Sequence, residues 1–444
     1  MKRSLYKFVL VFVLVAMLIV SCTPTAATTS AVQPTTGAQP TTAAQSATTK
    51  PGEKITMQVL WTGWPDDQIK AIFDPVKAKF PNIDFKLEAL PLAQLVPALE
   101  VRLGARNEVP DIYSVDGPLT ASYAVRGHLL DAAPILGDDL KNFSKAATDQ
   151  GNYKGKLWSI PYATSEILLY YNIDILKAAG IEPPPLDTKQ RMTWEKLYEL
   201  AKKANDPAKG IYGLVIEQAD RPYQILAMPE SKGAKVISDD AFTTTGFIDS
   251  PKFIEAIQFY QKFYTEKLSP IGLDSNVSLE VFGLGKAAFF LAGTFSFNTL
   301  KTRFVDLKFG VAPHPYFEGG TPVTPTGSWH IGINPRSKYV KEATEVIKFM
   351  TNDAQMSAFF KLRGYPPVKK TVFTALPDVF NTDMWKIVQY ELENTAVPRP
   401  FTPGYREYED LLLKALKDIQ QGADVKARLT EAATAIDAEL VKYK

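Results

Sequence analysis

Aromatic and acidic residues recur together in this chain where short apolar runs end. The run "ITMQVLW" (55–61) closes on Trp61 and is followed by "TGW", which adds Trp64. "DIYSV" (111–115) carries Tyr113 and leads into Asp116, and "WSIPYATSE" (158–166) brings Trp158, Tyr162 and Glu166 into one short stretch. Glu217, Phe295 in "AGTFSF" and Trp329 in "TGSWHIGINP" continue the series. A pyranose has an apolar face of C–H groups and a rim of hydroxyls. Flat rings cover the face, and carboxylates or Arg take paired hydrogen bonds from neighbouring hydroxyls. For any one of these rings, core packing is the simpler explanation. The case for a binding role rests on their recurrence at run ends and glycine-rich turns.

The elements that must position these residues alternate in kind. Strands are expected at 55–61, 83–90 and 111–115, with helices near 69–80 and 94–105 between them, which argues for a parallel α/β sheet. The pattern restarts with "ILLYYN" (167–172), a helix opened by Thr193, and "IYGLVI" (211–216). Ser250 followed by Pro251 reads as an N-cap with proline in the first turn. Phe253, Ala256, Ile257, Tyr260 and Tyr264 then fall on one helical face, as do Ala343, Val346, Ile347 and Met350; both stripes read as core. With two α/β units, the space beyond the carboxyl ends of their strands is the expected pocket.

The start of the chain is of another kind. Lys2, Arg3 and Lys7 precede an apolar stretch from Phe8 to Val20. That length is short of the ~20 residues a spanning helix needs and suits a secretory signal. "IVSC" (19–22) resembles a bacterial lipobox, so cleavage is expected to leave Cys22 as a lipid-bearing N-terminus after a signal peptide at 1–21. Cys22 is the sole cysteine, so no disulfide can form within the chain. Residues 22–53, rich in Thr, Ala and Pro, read as a disordered tether. Removing the first 21 residues deletes three positive charges and takes the formal net charge from +2 to −1. Basic residues are interspersed with acidic ones, which argues against nucleic acid as a partner. The remainder, 54–444, exceeds one ordinary core, so two domains are expected.

Several longer stretches carry a resemblance. "PDIYSVDG" (110–117), "YKGKLWSIPYATSEILLYYNIDILKAAG" (153–180) and "FGLGKAAFFLAGTFSF" (282–297) are similar, in order, to the extracellular solute-binding proteins of sugar ABC transporters, the maltose-binding-protein-like family. So are "GSWHIGINPRSKYVKEATEVIKFMTNDAQMSAFFKLRGYPPV" (327–368) and "AVPRPFTPGYREYEDLLLKAL" (396–416). The resemblance implies a periplasmic-binding-protein type II-like fold: two α/β lobes with a hinge and an interlobe ligand cleft. One lobe would hold 54–165 and 313–366, the other 166–312 and 367–444. It implies cleft roles for Tyr113, Asp116, Glu166, Glu217, Phe295 and Tyr405, with Trp61, Trp64, Tyr162, Trp329 and Arg363 as additions. Maltose-binding members carry Trp where this chain has Tyr113, Phe295 and Tyr405. The implied activity is capture of a di- or oligosaccharide and its delivery to a membrane permease, by a monomer outside the cytoplasm and without cofactor.

Two rival classes follow from the same residues. A secreted glycosidase or lyase would need paired carboxylates about 5 to 10 Å apart, such as Asp116 with Glu166 or Glu217. No H-E-x-x-H, G-x-S-x-G or P-loop occurs, and "GLGKAA" (283–288) precedes an apolar run where a dinucleotide motif would follow one. His128, His314 and His330 lack metal-ligand spacing. The other rival keeps the fold and changes the cargo to a peptide, polyamine or metal ion.

Overall fold

The computed structural model describes residues 53–217 and 221–444. The expected signal peptide, Cys22 and nearly all of the expected tether lie outside the described residues.

Eleven strands are described: β1 (Ile55–Thr62), β2 (Ile83–Leu90), β3 (Ile112–Asp116), β4 (Asn152–Tyr153), β5 (Lys156–Leu157), β6 (Ile160–Asn172), β7 (Tyr212–Ile216), β8 (Ala287–Gly293), β9 (Phe309–Ala312), β10 (Thr324–Ile333) and β11 (Ala396–Val397). β4 and β5 make a small hairpin. The rest form one sheet in the order β2-β1-β3-β10-β6-β8-β7, with β9 on β6 and β11 on β10.

β6 organises the sheet. All 13 of its residues are buried, and it spans about 40 Å at ~3.3 Å per residue. From Ile160 to Glu166 it pairs with β10; from Ile167 onward it pairs with β8, and from Leu169 with β9. The change of partner at 166/167 divides the sheet into two halves that share one strand. Thr324 and Pro325 of β10 pair with β11 close to the same crossing.

The strand–helix–strand run at 55–115 is parallel as expected, and the sheet as a whole is mixed. β1 runs parallel to β2 and β3, and β7 parallel to β8, as strand–helix–strand units require. β10 is antiparallel to both β3 and β6. It returns to the first half-sheet from the second, so it enters from the opposite end.

The helical stripes lie in the core. Phe253, Ala256, Ile257 and Tyr260 are each 0% exposed, as are Ala343, Val346 and Ile347. Burying side chains of this kind contributes on the order of 1.5–3 kcal/mol each for the larger ones, as an upper bound. Thr193 caps its helix (Trp194–Ala204) by accepting from the Lys196 N–H at 3.2 Å. Ser250 marks the helix start, but its side chain makes no cap hydrogen bond, and Pro251 supplies the first-turn geometry.

Candidate functional site

An open cleft of about 890 Å³ lies over the carboxyl ends of strands from both half-sheets. The first half supplies Thr62 at the end of β1 with Gly63 and Trp64 after it, Pro91 and Leu92 after β2, and Asp116 at the end of β3. The second supplies Glu217 and Arg221 beyond β7 and Phe295 and Ser296 beyond β8. Thr164 and Ser165 of β6 and Gly327 and Trp329 of β10 form its floor. Two glycines make the turns possible. A Cβ on Gly63 would stand 2.6 Å from the backbone of Leu90 and Pro91, and one on Gly293 would stand 2.1 Å from the Phe295 ring. Gly63 therefore lets the β1 turn press against the β2 turn and present Trp64, while Gly293 lets Phe295 fold back over the end of β8.

The first wall is aromatic. Trp64 meets Trp329 edge-on with centroids 6.3 Å apart and packs on Phe359 at 5.4 Å and Tyr365 at 6.2 Å. Phe295 lies 5.4 Å from Tyr365. The Arg363 guanidinium sits 4.9 Å from the Trp64 ring centre and 5.5 Å from that of Tyr365, and it donates to Gln68. Trp64, Phe295 and Trp329 keep part of their surface open.

The second wall is charged. Arg399 grips both oxygens of Asp116, with Nη1 donating to Oδ2 at 3.0 Å. Arg221 donates to the same Oδ2 at 3.2 Å and to Glu409 Oε1 at 2.9 Å. The Tyr405 hydroxyl also donates to Glu409, at 3.1 Å. Burial pulls the Asp116 carboxyl up, but the charges of Arg399 and Arg221 outweigh it and hold the group below its ordinary value. Asp116 is thus an ionised anchor with both oxygens engaged.

Glu217 behaves in the opposite sense. Its Oε2 accepts the Gly293 N–H at 2.9 Å and its Oε1 accepts the Ser296 hydroxyl. Burial nevertheless pushes it up to about 7, because no cation offsets the lost hydration and the hydrogen bonds only partly do. An acid raised on folding binds more protons folded than unfolded, so its contribution to stability is present below its ordinary pKa of about 4.3. That contribution is lost as pH rises through about 7. Replacing Glu217 by Gln is expected to flatten the fall in melting temperature between about pH 5 and pH 8. An unchanged slope in a pH series of thermal melts would refute the assignment.

Six of the eleven expected site residues line this cleft: Trp64, Asp116, Glu217, Phe295, Trp329 and Arg363. The other five sit behind it. Trp61 is 1% exposed and packs edge-on against Phe73 at 5.2 Å. Tyr113 is 0% exposed and donates to the His128 carbonyl; three positions from Asp116 on an alternating strand, it faces the other way. Tyr162 falls where the β6–β10 register slips by one residue, and its ring packs at a tilt against Phe359, with centroids 4.6 Å apart. Glu166 is fully buried at the partner change in β6, where burial raises its carboxyl well above the ordinary value. Tyr405 is 2% exposed and supports Glu409 from beneath. Sequence reasoning missed Arg221, Tyr365 and Arg399, although "LRGYPPV" and "AVPRPFTPGY" contain two of them.

A second cavity of about 860 Å³ opens around Asn172, Lys209, Leu284 and Lys308, at the amino ends of β7 and β8. Phe304 is the single ring among the described residues that line it. It lies at the wrong end of the strands for an α/β ligand site.

A mixed α/β body whose strand ends converge on one wide cleft, with rings on one wall and ion-paired groups on the other, defines a solute receptor. Residues 66–357, more than half of the chain, match the family of bacterial extracellular solute-binding proteins, and the chain belongs to that family. Among its relatives are a putative binding protein of Brucella abortus, 25% identical over 86% of this chain and 91% of its own, and the maltodextrin-binding protein of Bacillus subtilis, 24% identical over 77% and 80%. Solved structures with this fold include a solute-binding protein of Thermotoga lettingae bound with α-D-tagatose, with a TM-score of 0.77 at 20% identity, covering 87% of this chain and 99% of that one. Another is an ABC substrate-binding protein of Listeria monocytogenes in complex with cycloalternan, with a TM-score of 0.74 at 19% identity over 88% and 100%. The relatives are binding proteins, and the family acts outside the cytoplasm.

Proposed function

We propose that the cleft captures a carbohydrate and that the chain is the substrate-binding component of an ABC importer, delivering its cargo to a membrane permease. The observation that carries this reading is the pairing of partly open rings (Trp64, Trp329, Phe295) with polar groups across one cleft. Rings cover the C–H face of a pyranose, and Thr164, Ser165 and Ser296 offer partners for its hydroxyls. The maltodextrin-binding relative and the tagatose and cycloalternan complexes support a saccharide cargo.

The reading includes motion. The lobes are 54–165 with 313–366, and 166–312 with 367–444; they turn about the partner change in β6 and the neighbouring start of β10. Asp116 comes from one lobe, and Arg221, Arg399 and Glu409 from the other, so ligand and ion pairs together set the open–closed balance. The protein acts as a monomer, is held at the membrane by lipid on Cys22, and leaves its ligand chemically unchanged. Asp116 supports the last point: a carboxylate held ionised with both oxygens on guanidiniums is unsuited to proton transfer.

A thermal-shift screen of ligand-stripped protein against mono-, di- and oligosaccharides tests the proposal. At a hundredfold excess over Kd, a ligand of the folded state adds about 2.7 kcal/mol by mass action, so one saccharide class should raise the melting temperature by several degrees. No rise with any saccharide would overturn the carbohydrate reading and move the cargo to another solute class.

A further inference from the structure

The cleft carries more positive charge than a neutral sugar calls for. Of the described residues lining it, Asp116 and Glu217 are acidic, while Arg221, Arg303, Lys361, Arg363 and Arg399 are basic. Most of these are compensated. Asp116 and Glu409 together balance Arg221 and Arg399, and Arg303 pairs with Glu280. Lys361 and Arg363, in the last turn of the helix Asp353–Arg363, have no carboxylate partner among the described residues. The helix C-terminus offsets about half a charge, against two. Glu217 lies under Gly293 and Ser296, with its oxygens turned to those donors.

Arg363 is also held in place. Its guanidinium rests against the rings of Trp64 and Tyr365, and its side-chain acceptors, Gln68 and the Tyr365 hydroxyl, are both uncharged. Its Nε is buried and has no hydrogen-bond partner. A guanidinium held by ring stacking and neutral acceptors keeps its full positive charge for an anion in the cleft. Leaving such a group half-dehydrated without an anion is unfavourable.

Building on the carbohydrate reading above, we propose that the solute is an anionic saccharide, its acid group bound by Arg363 beside the Trp64 ring, with Lys361 adding positive charge at the rim of the same cleft. A uronate carboxylate and a sugar phosphate ester share the required chemistry.

Calorimetry of the ligand-stripped chain against matched pairs tests this. Each pair is a neutral disaccharide and its uronate counterpart from the gluco, galacto and manno series, with hexose 6-phosphates as a third arm. The acid member of at least one pair should bind about tenfold tighter or more at low salt, and the gap should shrink between about 50 and 500 mM NaCl. Preference for the uronate or for the phosphate identifies the source of the anion. Lys361→Gln, at an exposed position, and Arg363→Gln should each reduce the acid-over-neutral ratio about threefold or more. Equal loss for both members of a pair would reduce these residues to packing and overturn the assignment. Neutral sugars binding as tightly as acidic ones would overturn the anionic class and leave the carbohydrate reading intact. No binding by any member of the panel would overturn both.

Discussion

Replacing Asp116 by Ala is expected to destabilise the protein by about 3–5 kcal/mol and to weaken ligand binding. A cleft carboxylate that served the ligand alone would cost affinity when lost and spare the fold. The structure departs from that case. Asp116 is 7% exposed and Arg399 5%, and they are joined by a two-pronged contact. Deleting the carboxylate strands Arg399 as a buried cation, and only Arg221 keeps an alternative partner, Glu409. The loss should hold from about pH 5 to pH 8. An acid held below its ordinary value contributes stability that is fully present above the ordinary value, about 3.9, and that disappears only as pH falls through the lowered one. Denaturant unfolding of Asp116→Ala, and of Asp116→Ala combined with Arg399→Met, measures the effect. The double variant should recover at least half of the loss, because no unpaired charge stays buried. A single-variant loss below about 1 kcal/mol would place the network at surface-pair strength and remove it as a determinant of the fold.

What the sequence made legible follows from what side chains report locally. β1, β3 and β7 are short, largely apolar runs and β2 alternates apolar with charged residues, all bounded by turn residues, so their existence and the alternation of helices between them could be read directly. The first half of β6 could not. Pro161, Thr164 and Ser165 look like loop chemistry, and only the neighbouring strand makes Ile160–Glu166 a strand. β10 was hidden in the same way by Thr324, Pro325 and Gly327. The location of the site at strand ends was legible, whereas the facing of individual side chains was not. One residue of phase moves a strand side chain from one face to the other, which is how Tyr113 and Asp116 came to be grouped and then separated. Arg399 and Arg221 were invisible for a different reason. Their partner Asp116 lies 283 and 105 positions away, and no local pattern encodes such a pair.

Replacing Trp64 by Ala should weaken saccharide binding by at least about 2 kcal/mol, or thirtyfold, as for a central aromatic contact. The ring is the hub of the aromatic wall: Trp329, Phe359, Tyr365 and the Arg363 guanidinium all touch it. Its removal takes away a stacking face and leaves Arg363 without one of the two rings that hold it. Because Trp64 is half-buried, the fold should lose less than it does at Trp61, which is 1% exposed and stands directly behind it, 6.3 Å between ring centres. Trp61→Ala is therefore the informative contrast. It should destabilise by about 3–5 kcal/mol through the cavity it leaves, while the folded fraction loses clearly less affinity than Trp64→Ala does, any loss coming through its contact with Trp64. Calorimetry on the folded protein, with denaturant melts alongside, separates the two effects. If Trp61→Ala were to abolish binding and Trp64→Ala to spare it, the ligand would lie on the other side of β1, and the cleft described here would not be its site. The expected result, affinity lost at Trp64 and stability lost at Trp61, follows from adjacent strand-end positions: the turn at Gly63 carries one indole into the open cleft, and strand alternation buries the other.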